Sequence, residues 1–280
     1  MHATPGKRIR NGLLYVLTVL FVLWAFLPFV WTLVTSLKSL SEIYRTPPTL
    51  VPVAPTLENY VEVFDSITFF RYFLNSAFVT VSTIVITLFL AVLAAYAFSR
   101  FRFPYKHILL LAILIPRIIP SITRVIPLYQ IFSNIGLLGN YLSVIGPYVA
   151  DALPIAVWIL VGFFDAIPKD LEESAMVDGS SRLYALYRVI LPLTIPGMVS
   201  AGLFTFLRAW NEFVLAFTFI GRGNLLTLPV AHYRVFELFG LRHWGAINAF
   251  TILAVLPIVL SFVLFERHLV KSMVASAVKG

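Results

Sequence analysis

Five ionisable residues stand inside long apolar runs: Arg117, Arg124, Asp151, Arg208 and Glu212. A charge at membrane depth costs about 2.5–3.5 kcal/mol even on the lenient insertion scale, so each needs a partner, a cavity or an inward-facing position. Arg117 and Arg124 are seven residues apart on one helix face, in a run interrupted by Pro116, Pro120 and Pro127. Such breaks are tolerated where backbone lines a cavity or packs against protein. Arg208 and Glu212 are spaced i,i+4 and are expected to pair, which lowers the cost of burying either. Trp210 and Asn211 lie between them. An aromatic ring beside amide, carboxylate and guanidinium groups suits a sugar, which has an apolar ring face and many hydroxyls. Asp151, Arg208, Trp210, Asn211 and Glu212 are therefore candidates for a substrate pathway. The plainer alternative is that they hold helices together by hydrogen bonds.

A second polar concentration is the stretch EESAMVDGSSRLYALYRVILP, residues 172–192. Five of the 13 acids, Asp165, Asp170, Glu172, Glu173 and Asp178, fall within 14 residues, so this segment meets water or a polar partner rather than lipid. Pro168 followed by Asp170 and Glu173 predicts a helix start, with Asp170 as N-cap and Glu173 completing a capping-box-like pair. The helix is expected to run to about Val177. Gly179 suits the left-handed position that ends a helix, and Ser180 or Ser181 can cap a second one from Arg182 toward Ile190. On the first helix Leu171, Ser174, Ala175 and Val177 or Asp178 offer small or apolar surface while Glu172 and Glu173 supply charge, a mixture suited to another protein's groove. A solvated loop resting on the membrane surface is the alternative.

Other chemistries are excluded or unsupported. With no cysteine there is no disulfide, thiolate metal site or Cys nucleophile. His107, His232, His243 and His268 are dispersed without metal-ligand spacing, and no catalytic or metal constellation is visible. The only Gly-Lys, Gly6-Lys7, is followed by Arg8, so the chain cannot supply the phosphate loop that ATP hydrolysis requires.

These residues have to be positioned by membrane helices. The chain has 280 residues, 60% hydrophobic and 12% charged, against about 45–50% and 25% in soluble domains. A span needs about 20 apolar residues, and six runs qualify, at 12–35, 72–98, 107–131, 142–164, 193–221 and 245–266. They lack the alternation of barrel strands, so an all-α, six-span architecture is expected. The first run is too long for a signal peptide and reads as an uncleaved anchor. The net charge of +8 sits mostly at span edges and does not call for nucleic acid. Lys7, Arg8, Arg10, Arg100, Arg102, Lys106, Lys169, Arg182, Arg188, Arg267, Lys271 and Lys279 fall on one side, against Lys38, Arg45, Arg71, Arg222, Arg234 and Arg242 on the other. Basic excess marks the cytoplasmic side, which puts residues 1–11, the 165–192 loop and the 268–280 tail there. The external segment 36–71 carries Pro47, Pro48, Pro52 and Pro55 and reads as an extended lid or a plain linker.

Glu173-Ser174-Ala175, three residues, Gly179, nine residues and Val189-Ile190-Leu191-Pro192 resemble the EAA-x3-G-x9-I-x-L-P motif of bacterial ABC importer membrane subunits, with Ser174 and Val189 as mild departures. The passages IPRIIP, IPLYQ, GFFDAIPKDLEESAMVDG, AWNEF (209–213), LTLPV (226–230) and the terminal ASAVKG extend the likeness to carbohydrate permeases of the maltose-permease type, the six-span partner of a heteromeric pair. The resemblance implies a type I ABC importer permease fold spanning 12–267 and a sugar or oligosaccharide moved across a bacterial or archaeal cytoplasmic membrane by alternating access. It implies that Asp170, Glu172, Glu173, Ser174, Ala175, Asp178 and Gly179 form a coupling helix seated in an ATPase subunit, toward which the tail from Arg267 also reaches. A second, non-identical permease subunit, two ATPase subunits and an external solute-binding protein are the implied partners, with ATP and Mg on the ATPases and no cofactor on this chain. The competing reading is an ion-coupled secondary transporter or channel that uses Asp151, Arg208 and Glu212 as a relay. An integral membrane enzyme lacks any supporting constellation.

Overall fold

A computed structural model of the chain describes residues 5–65, 68–239 and 243–277, and every regular element among them is helical. Hydrocarbon leaves backbone polar groups no partner outside their own segment, and helices satisfy them there. In order they are α1 (Pro5–Ser36), α2 (Leu40–Ile43), α3 (Glu58–Asp65), α4 (Phe69–Arg100), α5 (Lys106–Ala112), α6 (Ser121–Asn134) and α7 (Leu142–Ala166). There follow α8 (Asp170–Val177), α9 (Arg182–Ala185), α10 (Leu191–Leu193), α11 (Ile195–Trp210), α12 (Val214–Ile220), α13 (Leu228–Phe239) and α14 (Trp244–Ala277).

Among the described residues, four stretches are long and apolar enough to cross a membrane alone: Asn11–Ser36, Phe69–Arg100, Leu142–Ala166 and Trp244–Glu266. Two bent pairs, Lys106–Ile118 with Ile122–Asn134 and Arg182–Leu193 with Ile195–Trp210, bring the number to six if each is one span. The runs expected at 107–131 and 193–221 are therefore not continuous helices. The first turns by 91°, because a residue preceding proline is driven out of the helical region; Ile119, before Pro120, is extended at φ −76° and ψ 120°. The second turns by 75° about Thr194, between Pro192 and Pro196, and is interrupted again after Trp210.

The residues form two compact units. One comprises Met1–Phe69 and His232–Val255. Its α1 exposes an apolar surface from Leu13 to Leu33, and none of its most apolar stretch is buried. The proline-rich segment after α2 follows an ordered path rather than that of a free linker. Glu42 accepts hydrogen bonds from Thr49 Oγ1 (2.7 Å) and Val53 N (2.9 Å), Thr56 N donates to Leu37 O (2.9 Å), and Lys38 donates to Thr49 O. Asn59 at the start of α3 donates to Ser36 O and Lys38 O at 2.9 and 2.8 Å.

The other unit comprises Phe70–Ala231 and Leu256–Gly280. Its core is built on α4, α7 and α11: Ala91, Ala95 and Tyr96 pack with Ala156, Leu160, Phe164 and Ala201. Small residues at these contacts let backbones approach, the usual basis of helix association where solvent is as apolar as the side chains. Gly197 is one such approach, since a Cβ there would lie 2.5 Å from Phe163 Cγ. At the end of α4 away from Arg100, Asn75 donates to Asn224 O (2.8 Å) and Leu226 O (2.9 Å) and accepts from Tyr141, and Ser76 accepts from Leu228 N.

Candidate coupling corner and solute pathway

The acidic stretch folds into the two-helix corner its residue types predict. α8 ends at Val177, and Gly179 follows at φ +90°. Ser180 N donates to Ala175 O (3.0 Å) and Gly179 N to Met176 O (3.1 Å), the paired closure that satisfies the last carbonyls of a helix ending in a left-handed residue. Ser181 then caps α9 by accepting from Tyr184 N. The helical path continues through a π turn, Leu186–Ile190, into α10. One expectation fails: Asp170 is not the N-cap. Lys169 holds that position without a side-chain cap, because its carbonyl already accepts from both Glu172 N and Glu173 N. Asp170, Glu172 and Glu173 instead occupy the first turn, where negative charge faces the positive end of the helix dipole.

The corner has two faces. Asp170, Glu173, Ser174, Asp178 and Gly179 are exposed, and Ala175 is half-buried. Leu171, Val177, Leu183, Tyr184 and Tyr187 add apolar surface, 44%, 86%, 74%, 54% and 65% exposed. Glu172 departs from this group, being 4% exposed and turned into the protein. Its Oε2 accepts from Arg100 Nε at 2.9 Å, Tyr96 donates to its Oε1, and Arg182 stands 4.0 Å away with its guanidinium over Phe101. Arg100 also donates to the carbonyls of Phe164 (3.1 Å) and Ile167 (3.2 Å) at the end of α7. One guanidinium thus ties α4, α7 and α8 together.

The pathway candidates divide. A cavity of about 280 Å³ is lined by Tyr148, Asp151, Arg208, Asn211 and Glu212 among others. Four of the five proposed residues therefore share one space. Trp210 does not: it is 4% exposed, stacked on Phe206 (5.5 Å) and edge-on to Phe73 (5.7 Å). The expected Arg208–Glu212 pair is also absent. Glu212 accepts from Leu215 N (2.8 Å), Ala216 N (3.1 Å) and Tyr148 OH (2.6 Å). It thus caps α12 across the break at 211–213, and those free N–H groups draw the carboxylate away from Arg208. Asp151 accepts from Arg124 Nη1 at 2.5 Å, while Arg117 donates to Asp151 O (3.4 Å) and lies over the Phe204 ring.

Residues 87–275 match the family described as "Binding-protein-dependent transport system inner membrane component". The chain belongs to this family. It is a multi-pass membrane permease subunit of an ABC importer. It is 34% identical over 275 residues to the sulfoquinovosyl glycerol transport system permease protein of Agrobacterium fabrum, covering 98% of this chain and 95% of that one. It is also 34% identical over 274 residues to the trehalose/maltose transport system permease protein of Thermococcus litoralis, covering 97% and 98%. A chain of a bacterial ABC transporter involved in the import of the acidic polysaccharide alginate superposes with a TM-score of 0.81 at 21% identity, over 95% of this permease and 99% of that chain. The fold is accordingly the type I ABC importer permease fold.

Sequence reasoning missed Arg100 and Tyr96 as parts of the α8–α9 corner, and Leu183, Tyr184 and Tyr187 as parts of its surface. The SRFRF run at 99–103 was legible only as basic loop charge. An exposed aromatic pair beside a capping serine is the signal that marks the second group.

Proposed function

We propose that this permease carries a sugar or oligosaccharide through the membrane by alternating access, driven by two ATPase subunits that grip the α8–α9 corner. The relatives' names, which include trehalose/maltose and sulfoquinovosyl glycerol transport, support a carbohydrate substrate. The basic excess on the side of the corner supports placing both termini and the corner in the cytoplasm of a bacterium or archaeon. A second, non-identical permease subunit completes the pathway, and an external binding protein delivers the solute. This chain performs no covalent chemistry and holds no cofactor; ATP and Mg belong to the ATPases.

The observation that carries this reading is the two-sided corner. Its inner side is pinned by a buried ion pair, and its outer side presents Leu171, Val177, Leu183, Tyr184 and Tyr187 to whatever covers them. A purely solvated loop would gain nothing from that apolar surface, whereas a groove in a partner would. The ion-relay reading needs Asp151, Arg208 and Glu212 in one hydrogen-bonded chain, and among the described residues each carboxylate is held by other partners.

The natural absence of cysteine makes the test direct. Val177→Cys in the otherwise cysteine-free permease is expected to cross-link to the ATPase subunit. An impermeant maleimide is expected to label it only in inside-out vesicles. Labelling from the outer face, or a corner that cross-links to nothing during turnover, would end the proposal.

A further inference from the structure

The cavity beside the α11–α12 break is lined by one guanidinium, Arg208, and two carboxylates, Asp151 and Glu212. Arg117 and Arg124 are outside the lining and reach it only through Asp151. Both carboxylates are already engaged. Asp151 accepts from Arg124, and Glu212 is held by two backbone N–H groups and the Tyr148 hydroxyl. Arg117 rests on the Phe204 ring and the Asp151 carbonyl. Arg208 is left exposed at the cavity wall, with no hydrogen-bond or ion-pair partner among the described residues. A guanidinium on a membrane helix that no carboxylate engages is unfavourable, and the permease keeps this one beside the space a solute would enter.

We propose that Arg208 is the anchor for an acidic sugar, pairing with one carboxylate or sulfonate group on the transported solute. The inference rests on the sugar-permease reading and narrows its substrate class. A neutral sugar would leave the Arg208 guanidinium unmet while displacing the water that solvates it. An acidic one supplies the missing anion, and the planar guanidinium fork matches two oxygens of a carboxylate or sulfonate at once. Asn211, exposed on the same wall, offers the amide that ring hydroxyls accept and donate to. The cavity, at about 280 Å³, sits at the lower end of ligand pockets, which run about 300–1,000 Å³. That space suits one charged sugar unit at a time.

The test uses the complete importer, purified with its partner subunits and binding protein, in ATP-loaded proteoliposomes. Three radiolabelled probes are compared: maltose as the neutral sugar, digalacturonate for a carboxylate and sulfoquinovose for a sulfonate. Preferred uptake of one acidic probe is expected, and which one identifies the anion. Arg208→Gln is expected to lower its kcat/KM about 10–100-fold, the effect of losing a hydrogen bond to a charged group. Arg208→Lys should recover much of the loss, which a folding defect would not. Maltose uptake equal to or above that of both acids overturns the inference while leaving the sugar-permease reading intact. So does undiminished acidic uptake by Arg208→Gln, or loss of the second permease subunit from that variant, which would make Arg208 an interface charge. Absence of ATP-driven uptake of all three overturns both readings.

Discussion

Replacing Arg100 by methionine removes the ion-pair partner that holds the α8–α9 corner while keeping a side chain of similar length. Glu172 would then remain 4% exposed with Tyr96 and the more distant Arg182 as its company. Both side chains of the Arg100–Glu172 pair are 5% exposed, and breaking a buried pair from one side costs about 3–5 kcal/mol because the surviving charge is uncompensated. The carbonyls of Phe164 and Ile167 lose a donor as well. An eight-residue helix such as α8 cannot hold itself by propensity, so its detachment from α4 should be favoured by about two to three and a half factors of ten, at 1.4 kcal/mol each. Arg100→Met should therefore purify with little ATPase bound and should lose solute-stimulated ATP hydrolysis. The double variant Arg100→Met, Glu172→Met replaces the pair by apolar groups, so most of the stability should return. Thermal unfolding of wild type, both single variants and the double variant measures the coupling directly. Additive losses in that cycle, or an Arg100→Met variant indistinguishable from wild type, would refute the reasoning.

Gly179→Val forces a β-branched residue to φ +90°, a strain of about 1–3 kcal/mol, and co-purification of the ATPase should fall accordingly. Glu212→Ala uncaps α12 at a cost of about 0.5–2 kcal/mol, so it should lower the thermal midpoint as well as uptake; a change in uptake alone would contradict the capping role. Asn75→Ala gives up hydrogen bonds to Asn224 O and Leu226 O worth about 0.5–1.5 kcal/mol each, and protease cleavage near residue 224 should increase. Glu42 is held below the ordinary carboxylate value of 4.5, first by the Thr49 hydroxyl and then by the Val53 amide. A lowered folded-state value means that its stabilisation is complete above pH 4.5 and fades as pH falls below it. Proteolysis of segment 45–56 should therefore rise in acid, and Thr49→Ala should weaken that dependence.

Local chemistry was legible and long-range chemistry was not. The turn at Gly179 and the cap at Ser181 follow from rules that act within four residues, so the stretch EESAMVDGSS was enough to predict them. Arg100 and Glu172 are 72 positions apart, and nothing near either one names the other. The i,i+4 rule predicted an Arg208–Glu212 pair because it assumes an unbroken helix. The break at 211–213 supplies free N–H groups that compete better for the carboxylate. Trp210 stands between those two polar positions in sequence, and spacing alone does not reveal that its ring packs between Phe206 and Phe73. The prolines of the third run announced a break, and the neighbour rule at Ile119 explains its position; its sharpness depends on tertiary packing.

The guanidinium that joins α4, α7 and α8 also has a kinematic consequence. Three elements fastened at one planar group cannot slide past one another without tearing it loose, so that end of the molecule travels as a block. Compliance is then expected where helical continuity is already interrupted, at Ile119–Pro120, about Thr194 and at Asn211–Phe213, and the last of these lies against the cavity wall. A push delivered at the corner should then show itself, some distance away, as a change in the width of the opening beside Arg208.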